Sequence, residues 1–350
     1  MTENWNIRFI SDWEEVYSPE FQNQWLQWTE NAVNSHVFFH PALCMAWIET
    51  YRPIRNLKPL FCIVKNEQDQ FFLPLVLWHK NWKNAFQKVI IPVGYSDFDY
   101  HDPLSSSILD NAEWTGLYKM VFDKIKCSFT FDEIQINGII TRINENGWTK
   151  EIDIAPFCEL SSFQNSEEFL QSLTTSLRGD ICRQIRRMEE TGQIRLYQYT
   201  DHAEAIKVLP EFLKLHAERW TKAYKAPGFH ENLINRGLLS GIVHFTSLQI
   251  GENVLSYHLG FRDKGRYYYY MPVINQEYAN YSPGKVHLLY LVEKCINEGF
   301  NIFDHLRGDE NYKSGWCNKI QQLYYYEKKS EKISSRIRNW SVEIKKILIK

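Results

Sequence analysis

The stretch that most limits how this chain can fold runs from Arg266 to Trp316. Residues 266–274, Arg-Tyr-Tyr-Tyr-Tyr-Met-Pro-Val-Ile, are aromatic and β-branched and read as a strand. Ser282 and Pro283 then open a helix, serine at the N-cap and proline at the first helical position. Leu288, Leu289, Leu291, Val292 and Ile296 keep a helical period, and Gly299 is a suitable stop. Ile302–Leu306 follows as another strand. The order is strand, glycine-containing turn, helix, strand, which belongs to a mixed α/β sheet. Such a turn presents backbone N–H groups and the positive end of a helix, where phosphate binds well. Many units of this kind carry a glycine and bind nothing, so the turn alone assigns no ligand.

Upstream, residues 12–33 predict a helix with Trp13, Val16, Phe21, Trp25 and Trp28 inward, and Pro41 starts another. Residues 57–65 and 71–79 predict a hairpin, and 88–93 a strand. Gly94 then leads into a loop with Asp97, Asp99 and Asp102, three carboxylates that suit metal or amine binding but can equally cap their own turns. A helix over 114–126 and a strand over 133–137 come next. Gly147, Pro156 and several serines mark a linker within 144–166. Asn165-Ser-Glu-Glu168 resembles a capping box at the head of one long helix reaching Met188, whose polar face carries Arg178, Arg183, Arg186 and Arg187. A strand over 194–199 precedes a helix over 203–220, which bears His216, Arg219 and Trp220. After a helix over 229–239, residues 241–250, 254–261 and 266–274 form a meander, with hairpin turns at 251–253 and 263–265. A strand over 321–327 leads to 328–350, which holds eight Lys/Arg and two Glu, with Ile333, Ile337, Trp340 and Ile344 at helical spacing. That basic amphipathic helix either packs back on the protein or faces a membrane surface or polyanion.

With 350 residues at a net charge of −2, the chain has room for two domains and no global attraction to nucleic acid. Its seven cysteines are scattered without a Cys-x-x-Cys, as expected of reduced thiols and not of a zinc site. No signal-peptide pattern opens the chain and no apolar run approaches a spanning helix, so the expected location is cytoplasmic. No metal is expected.

Six pieces, in order, carry a resemblance: Gly94 through Leu104, His216-x-x-Arg219-Trp220, Ser282-Pro283-Gly284, Phe303-Asp304, Gly308, and Tyr312-Lys313-x-x-Trp316. Together they resemble the BioF2-like, CelD-like acyltransferases of the GNAT superfamily, close to the FemABX aminoacyltransferases. The resemblance implies tandem GNAT-like domains, a degenerate one over 1–155 and an acyltransferase domain over 156–330, with 331–350 as the basic helix and the active cleft between the halves. It implies N-acyl transfer from acyl-CoA to an amine of a small molecule, amino sugar or peptide. Transfer from aminoacyl-tRNA and a degenerate binding module stay as alternatives. Asp304, Lys313, Tyr312 and His216 are the implied catalytic residues, with Asp304 or His216 as base, Lys313 beside developing negative charge and Tyr312 returning a proton to the thiolate. Ser282, Pro283, Gly284 and Lys285, with Met271 and Val273 on the preceding strand, would hold the donor. Arg219, Trp220, His258, Asp97, Asp99 and Arg307 would meet the acceptor.

Overall fold

The computed structural model describes residues 5–144, 147–221 and 226–348, with side chains described as far as 344. In chain order the first elements are β1 (Asn6–Ile10), α1 (Trp13–Tyr17), α2 (Pro19–Asn31), α3 (Pro41–Tyr51), β2 (Asn56–Lys65) and β3 (Gln70–His79). After them come β4 (Lys88–Pro92), β5 (Leu104–Ser105), α4 (Asn111–Ser128) and β6 (Glu133–Ile139). Next are β7 (Trp148–Glu159), α5 (Ser166–Ser172), α6 (Thr175–Glu189), β8 (Ile194–Tyr199), α7 (His202–Arg219) and α8 (Phe229–Gly237). The chain closes with β9 (Val243–Ile250), β10 (Asn253–Asp263), β11 (Arg266–Ile274), α9 (Pro283–Asn297), β12 (Ile302–Asp304), β13 (Lys319–Lys329) and α10 (Ile333–Leu348). Two compact units result, one of residues 1–152 with 322–350, the other of 153–321. The last strand and the C-terminal helix thus fold with the N-terminal unit.

In the first unit the strand order is β1-β2-β3-β4-β6-β13. Pairing is antiparallel except between β4 and β6, so the sheet is mixed. Its core is aromatic: Trp25 lies edge-on to Phe61 and Phe72 at 5.3 and 5.2 Å, and its indole N–H donates to the Phe39 carbonyl at 2.9 Å. α10 is fastened to this unit by polar groups. Arg338 grips the buried Asp132 with two hydrogen bonds, of 2.9 and 2.7 Å. Burial works to raise the Asp132 carboxyl, but Arg338, Ser335 and the Lys88 N–H outweigh it and hold the acid below its ordinary range.

The second unit orders its strands β7-β12-β11-β10-β9-β8, with β11 and β12 parallel and the rest antiparallel. α7 and α8 cover one face, through Phe212, Phe229 and His230. α5, α6 and α9 cover the other, where Leu288, Leu291, Val292, Phe169 and Ile181 pack on Tyr267, Tyr269 and Phe303.

Several expectations need correcting. Residues 12–33 form two helices, because Ser18 ends the first, its N–H donating to the Glu15 carbonyl at 3.1 Å, and caps the second, its hydroxyl accepting from the Phe21 N–H at 3.2 Å ahead of Pro19. The long helix from 165 also breaks in two: Leu173 leaves the helical region and Thr174 restarts it, its hydroxyl accepting from the Leu177 N–H at 3.3 Å. The stretch read as a linker is largely the strand β7. β1 had no counterpart among the expected elements.

Gly138 sets a local limit in the first unit. It has φ +61, and a Cβ there would run into the Asp99 carbonyl oxygen. Gly138→Ala is expected to cost roughly 3 kcal/mol, read as a fall in thermal midpoint. Gly116→Ala, on α4 with open space around it, should be neutral or slightly stabilising in the same measurement.

Candidate functional site

The site is built where two parallel strands part. β11 and β12 pair at Arg266↔Ile302, Tyr267↔Phe303 and Tyr268↔Asp304. Among the described residues that pairing goes no further, although β11 runs on to Ile274. The chain leaving β12 stays with β7 instead: the His305 N–H donates to the Pro156 carbonyl at 3.0 Å and the Gly308 N–H to that of Ile154 at 2.9 Å. A fork opens, and the β11 backbone from Tyr269 to Ile274 forms an edge on which an extended ligand can lie as an added strand. Met271 and Val273 sit on this stretch, both buried.

Charged groups hold the fork. Arg266 lies at 3.8 Å from Asp304, whose other oxygen accepts the Leu306 N–H at 2.8 Å. That bond fixes Leu306 at φ +61, in the left-handed region. Lys313 is buried, and its ammonium donates to the carbonyls of Leu306, Arg307 and Gly308 at 3.1, 2.8 and 3.3 Å and pairs with Glu310 at 2.8 Å. Arg307 is tied to Asp153 at 3.0 Å. The expectation that Lys313 points at a reacting carbonyl therefore needs correcting, since its N–H groups face its own loop. Asp304 likewise holds backbone and guanidinium, and Arg307 is engaged within its own unit.

The turn that starts α9 follows β11. Residues 276–281 coil as a 3-10 turn, and Ser282 precedes Pro283 at the first position of α9. Ser282 stands at the N-cap position but with φ 50 and ψ 50, and its hydroxyl caps nothing, contrary to expectation. Gly284 leaves room beside β11, because a Cβ would press on Ile274 Cγ2 at 3.2 Å. Lys285 pairs with Asp180 of α6 at 2.6 Å, and Arg183 pairs with the same carboxylate. Arg187 donates to the Asn280 carbonyl at 3.0 Å and lies 5.2 Å over the Tyr281 ring. Arg183, through Asp180, and Arg187 of α6 thus gather at the start of α9, while Arg178 and Arg186 bond to the Gln171 and Cys182 carbonyls. Beside it a groove of about 690 Å³ runs between Arg195, Asn253, Tyr278 and Tyr281.

At the end of α7, the Arg219 guanidinium stacks 5.4 Å over Trp220, both exposed, and His216 is half-buried one turn earlier. The Arg219 charge pulls the Tyr312 and Tyr269 phenols down, against the larger effect of burial. Burial first, then Glu310, pushes the Tyr312 phenol well up, so it stays protonated. Arg219 and Tyr312 thus act electrostatically on Tyr269, a residue the motif did not point to.

Beneath the fork lies a set of buried imidazoles that the sequence pattern missed, His258 excepted. His244 and His258 share the Tyr267 hydroxyl at 2.9 and 3.1 Å. His287 bridges Thr246 and Ser256 at 3.0 and 2.9 Å. His258 stacks on Tyr269 at 4.3 Å, and His305, next to Asp304, sits 5.7 Å from the Tyr269 ring. Burial holds His244, His287 and His305 down at about 3 and His258 lower than its usual value, so all four are neutral. They come together from β9, β10, α9 and the residue after β12, and no local spacing signals that.

The acidic loop belongs to the first unit. Asp97 accepts from the Trp47 indole at 2.9 Å and from Ser96 at 2.7 Å, and is buried. Asp102 accepts from the Ile140 and Thr141 N–H groups, and burial raises it to about 6. These carboxylates tie the loop to α3 and to the chain after β6, and the Asp99 carbonyl closes on Gly138. Among the described residues, no group of three or more His, Cys, Asp or Glu is placed to hold a metal ion.

Residues 175–314 match the model of an acetyltransferase (GNAT) domain. No curated protein matches the chain by sequence. Among solved structures, FemX is similar at 11% identity over 92% of this chain and 96% of its own, with a TM-score of 0.61. A conserved protein of unknown function from Bacteroides thetaiotaomicron is similar at 9% identity, over 92% and 99%, with a TM-score of 0.56. The C-terminal domain of a putative lysylphosphatidylglycerol synthetase from Agrobacterium fabrum follows at 7%, over 90% and 94%, with a TM-score of 0.55. At these identities the likeness is one of fold.

Two outcomes follow from the geometry. Lys313→Ala removes a charged donor from three carbonyls and is expected to cost about 3 kcal/mol, with faster amide hydrogen exchange over residues 306–310. The buried histidines make stability pH-dependent. Their folded pKa values lie below the unfolded value, so the unfolded chain takes up more protons once the pH falls below about 6.5. Stability is expected to decline as the pH drops from there toward 3, by on the order of 1.4 kcal/mol per pH unit for each imidazole. His287→Gln should make thermal midpoints fall less steeply over that window.

Proposed function

We propose that the chain is an N-acyltransferase taking an acyl group from acyl-CoA to an amine, a reading supported by the match of residues 175–314 to a GNAT acetyltransferase domain and by the fold shared with FemX. The observation that carries this reading is the fork between β11 and β12, continued by β11 into the Ser282–Lys285 turn at the start of α9. An acyl-CoA suits that layout from end to end. Its extended pantetheine arm lies along the β11 edge at Met271 and Val273, hydrogen-bonding as a strand would. Its pyrophosphate meets the first turn of α9 at Gly284, close to Lys285 and Arg187. The groove between Tyr278 and Tyr281 receives the nucleotide end.

In the reaction the amine nitrogen attacks the thioester carbonyl near Tyr269, where a β11 N–H stabilises the oxyanion. His216 takes the proton lost by the amine, directly or through water. The C–S bond breaks, and the protonated Tyr312 hydroxyl gives its proton to the leaving thiolate. Arg219 and Trp220 flank the acceptor. Asp304, Arg307 and Lys313 act at one remove, holding the loop that presents Tyr312. His258 and its neutral neighbours line the floor without charge. The acceptor is a small molecule, amino sugar or peptide amine, and cytoplasmic acyl-CoA is the donor pool the reading requires.

The second reading keeps the amine acceptor and replaces the donor by aminoacyl-tRNA, as the FemABX resemblance implies. The arginine face of α6 beside α9 favours it, since the same cations suit an RNA backbone. Calorimetry with acetyl-CoA and longer acyl-CoAs separates the two. The expected result is binding that falls about a hundredfold in Gly284→Asp, where a carboxylate meets pyrophosphate, and only several-fold in Gly284→Ala, which tests bulk against Ile274. No acyl-CoA binding by the parent protein, together with binding of a charged tRNA, would replace the first reading by the second.

A further inference from the structure

α10 is amphipathic in the opposite sense from a helix that closes a core. Its inward face is mostly polar, with Val342 buried beside three polar groups: Ser335, Asn339 and Arg338 engage the Phe131 carbonyl, the Asp132 carbonyl and the Asp132 carboxylate. Its outward face carries Ile333, Ile337 and Trp340, which are 76%, 59% and 64% exposed. Positions 333, 337 and 340 follow the period of one helical stripe, with Ile344 continuing it. Lys332 and Arg336 are exposed alongside.

A second exposed apolar element lies next to this helix. The turn after β3 presents Trp82 and Phe86, 63% and 66% exposed, on a backbone with two successive left-handed residues, Ala85 and Phe86 at φ 51 and 54. Non-glycine residues in that region cost energy and persist where the surroundings impose them. Gln87, the next residue, donates to Asn339 of α10 at 2.8 Å, so turn and helix are joined within one unit. Lys83 lies 6.0 Å over the Trp82 ring, and Lys80 lies 5.0 Å over that of Trp78 on β3.

We propose that this face of the first unit docks on an anionic lipid membrane surface. The inference is independent of the acyl-transfer reading. Charge complementarity selects the occupant. Residues 328–350 carry eight Lys/Arg against two Glu in a chain whose net charge is −2. A groove of about 910 Å³ at the foot of α10 is lined by Lys119, Lys126, Lys328, Lys329 and Lys332, with three carboxylates among them. Tryptophan, phenylalanine and isoleucine interleaved with lysine and arginine suit the headgroup boundary, where rings and aliphatic tips sit inward and cations reach the phosphates. A second copy of the chain is a poorer occupant, because a self-complementary contact along the stripe would bring together two helices that both carry an excess of Lys and Arg. Among the described residues no helix is long and apolar enough to cross a membrane, so the contact is one of surface.

The full chain is to be sedimented with vesicles of phosphatidylcholine alone, and with vesicles of phosphatidylcholine and phosphatidylglycerol in equal parts. Binding is expected on the anionic vesicles and not on the neutral ones, and should weaken at high salt. Trp340→Ser and Ile337→Ser should each lower partitioning by about tenfold while leaving the thermal midpoint unchanged, since both side chains are exposed. Absence of binding to the anionic vesicles overturns the proposal, as does equal binding to both. A dimer in sedimentation velocity that Ile337→Ser dissolves overturns it too, because a second copy would then cover the stripe.

Discussion

The second unit depends on keeping two neighbouring strands apart. Parallel strands with apolar faces ordinarily stay paired along their length, because each lost rung leaves backbone donors and acceptors to be satisfied elsewhere. Here the chain after Asp304 satisfies them on the other side. Asp304 captures the Leu306 N–H and turns that residue left-handed, and Lys313 gathers the next three carbonyls under one buried ammonium. With Trp316 packed on Phe169 behind it, the loop cannot swing back to rejoin β11. The open edge of β11 follows from that clamp, and so does the approach of Tyr312 to Arg219. A charge that looks catalytic in sequence thus holds backbone still.

Below the fork the protein keeps its polarity neutral. Four imidazoles and two tyrosines fill the space between sheet and α9 where aliphatic side chains would be the ordinary choice. Burial denies them charge, and their mutual repulsion when protonated reinforces it for His258. A floor of this kind offers hydrogen-bond partners of either sense without a fixed charge, and it keeps the local dielectric low. Charges introduced at the fork would be felt strongly there.

Much of this was legible in the sequence wherever local chemistry decides structure. The meander of β9, β10 and β11 followed from its turns, where Gly251 at φ 58 and Lys264-Gly265 at φ 44 and 71 supply the left-handed residues a tight hairpin needs. Pro283 and Gly299 bounded α9. Tertiary context decided the rest. Nothing before β7 warns that a stretch with glycine, proline and serines will be taken up as a strand. The direction of the Lys313 ammonium was equally hidden, since a four-carbon stem chooses among partners that only the folded loop assembles. The imidazole cluster was invisible for the same reason, each member arriving on a different element.

α10 separates what a pattern encodes from what it leaves open. The spacing of Ile333, Ile337 and Trp340 specifies a stripe, and a stripe ordinarily turns inward because burying apolar area is the largest favourable term available. Which face turns inward is settled by a comparison, and here the buried Asp132 tips it. A carboxylate taken out of water without a partner is very costly, and Arg338 lies on the side of the helix opposite the stripe. Satisfying that acid, together with Ser335 and Asn339, rotates the helix so that its apolar side faces out. An inward turn of the stripe would strand Asp132. The exposed isoleucines and tryptophan are therefore not a failure of packing but the consequence of a buried charge that only one orientation of the helix can satisfy.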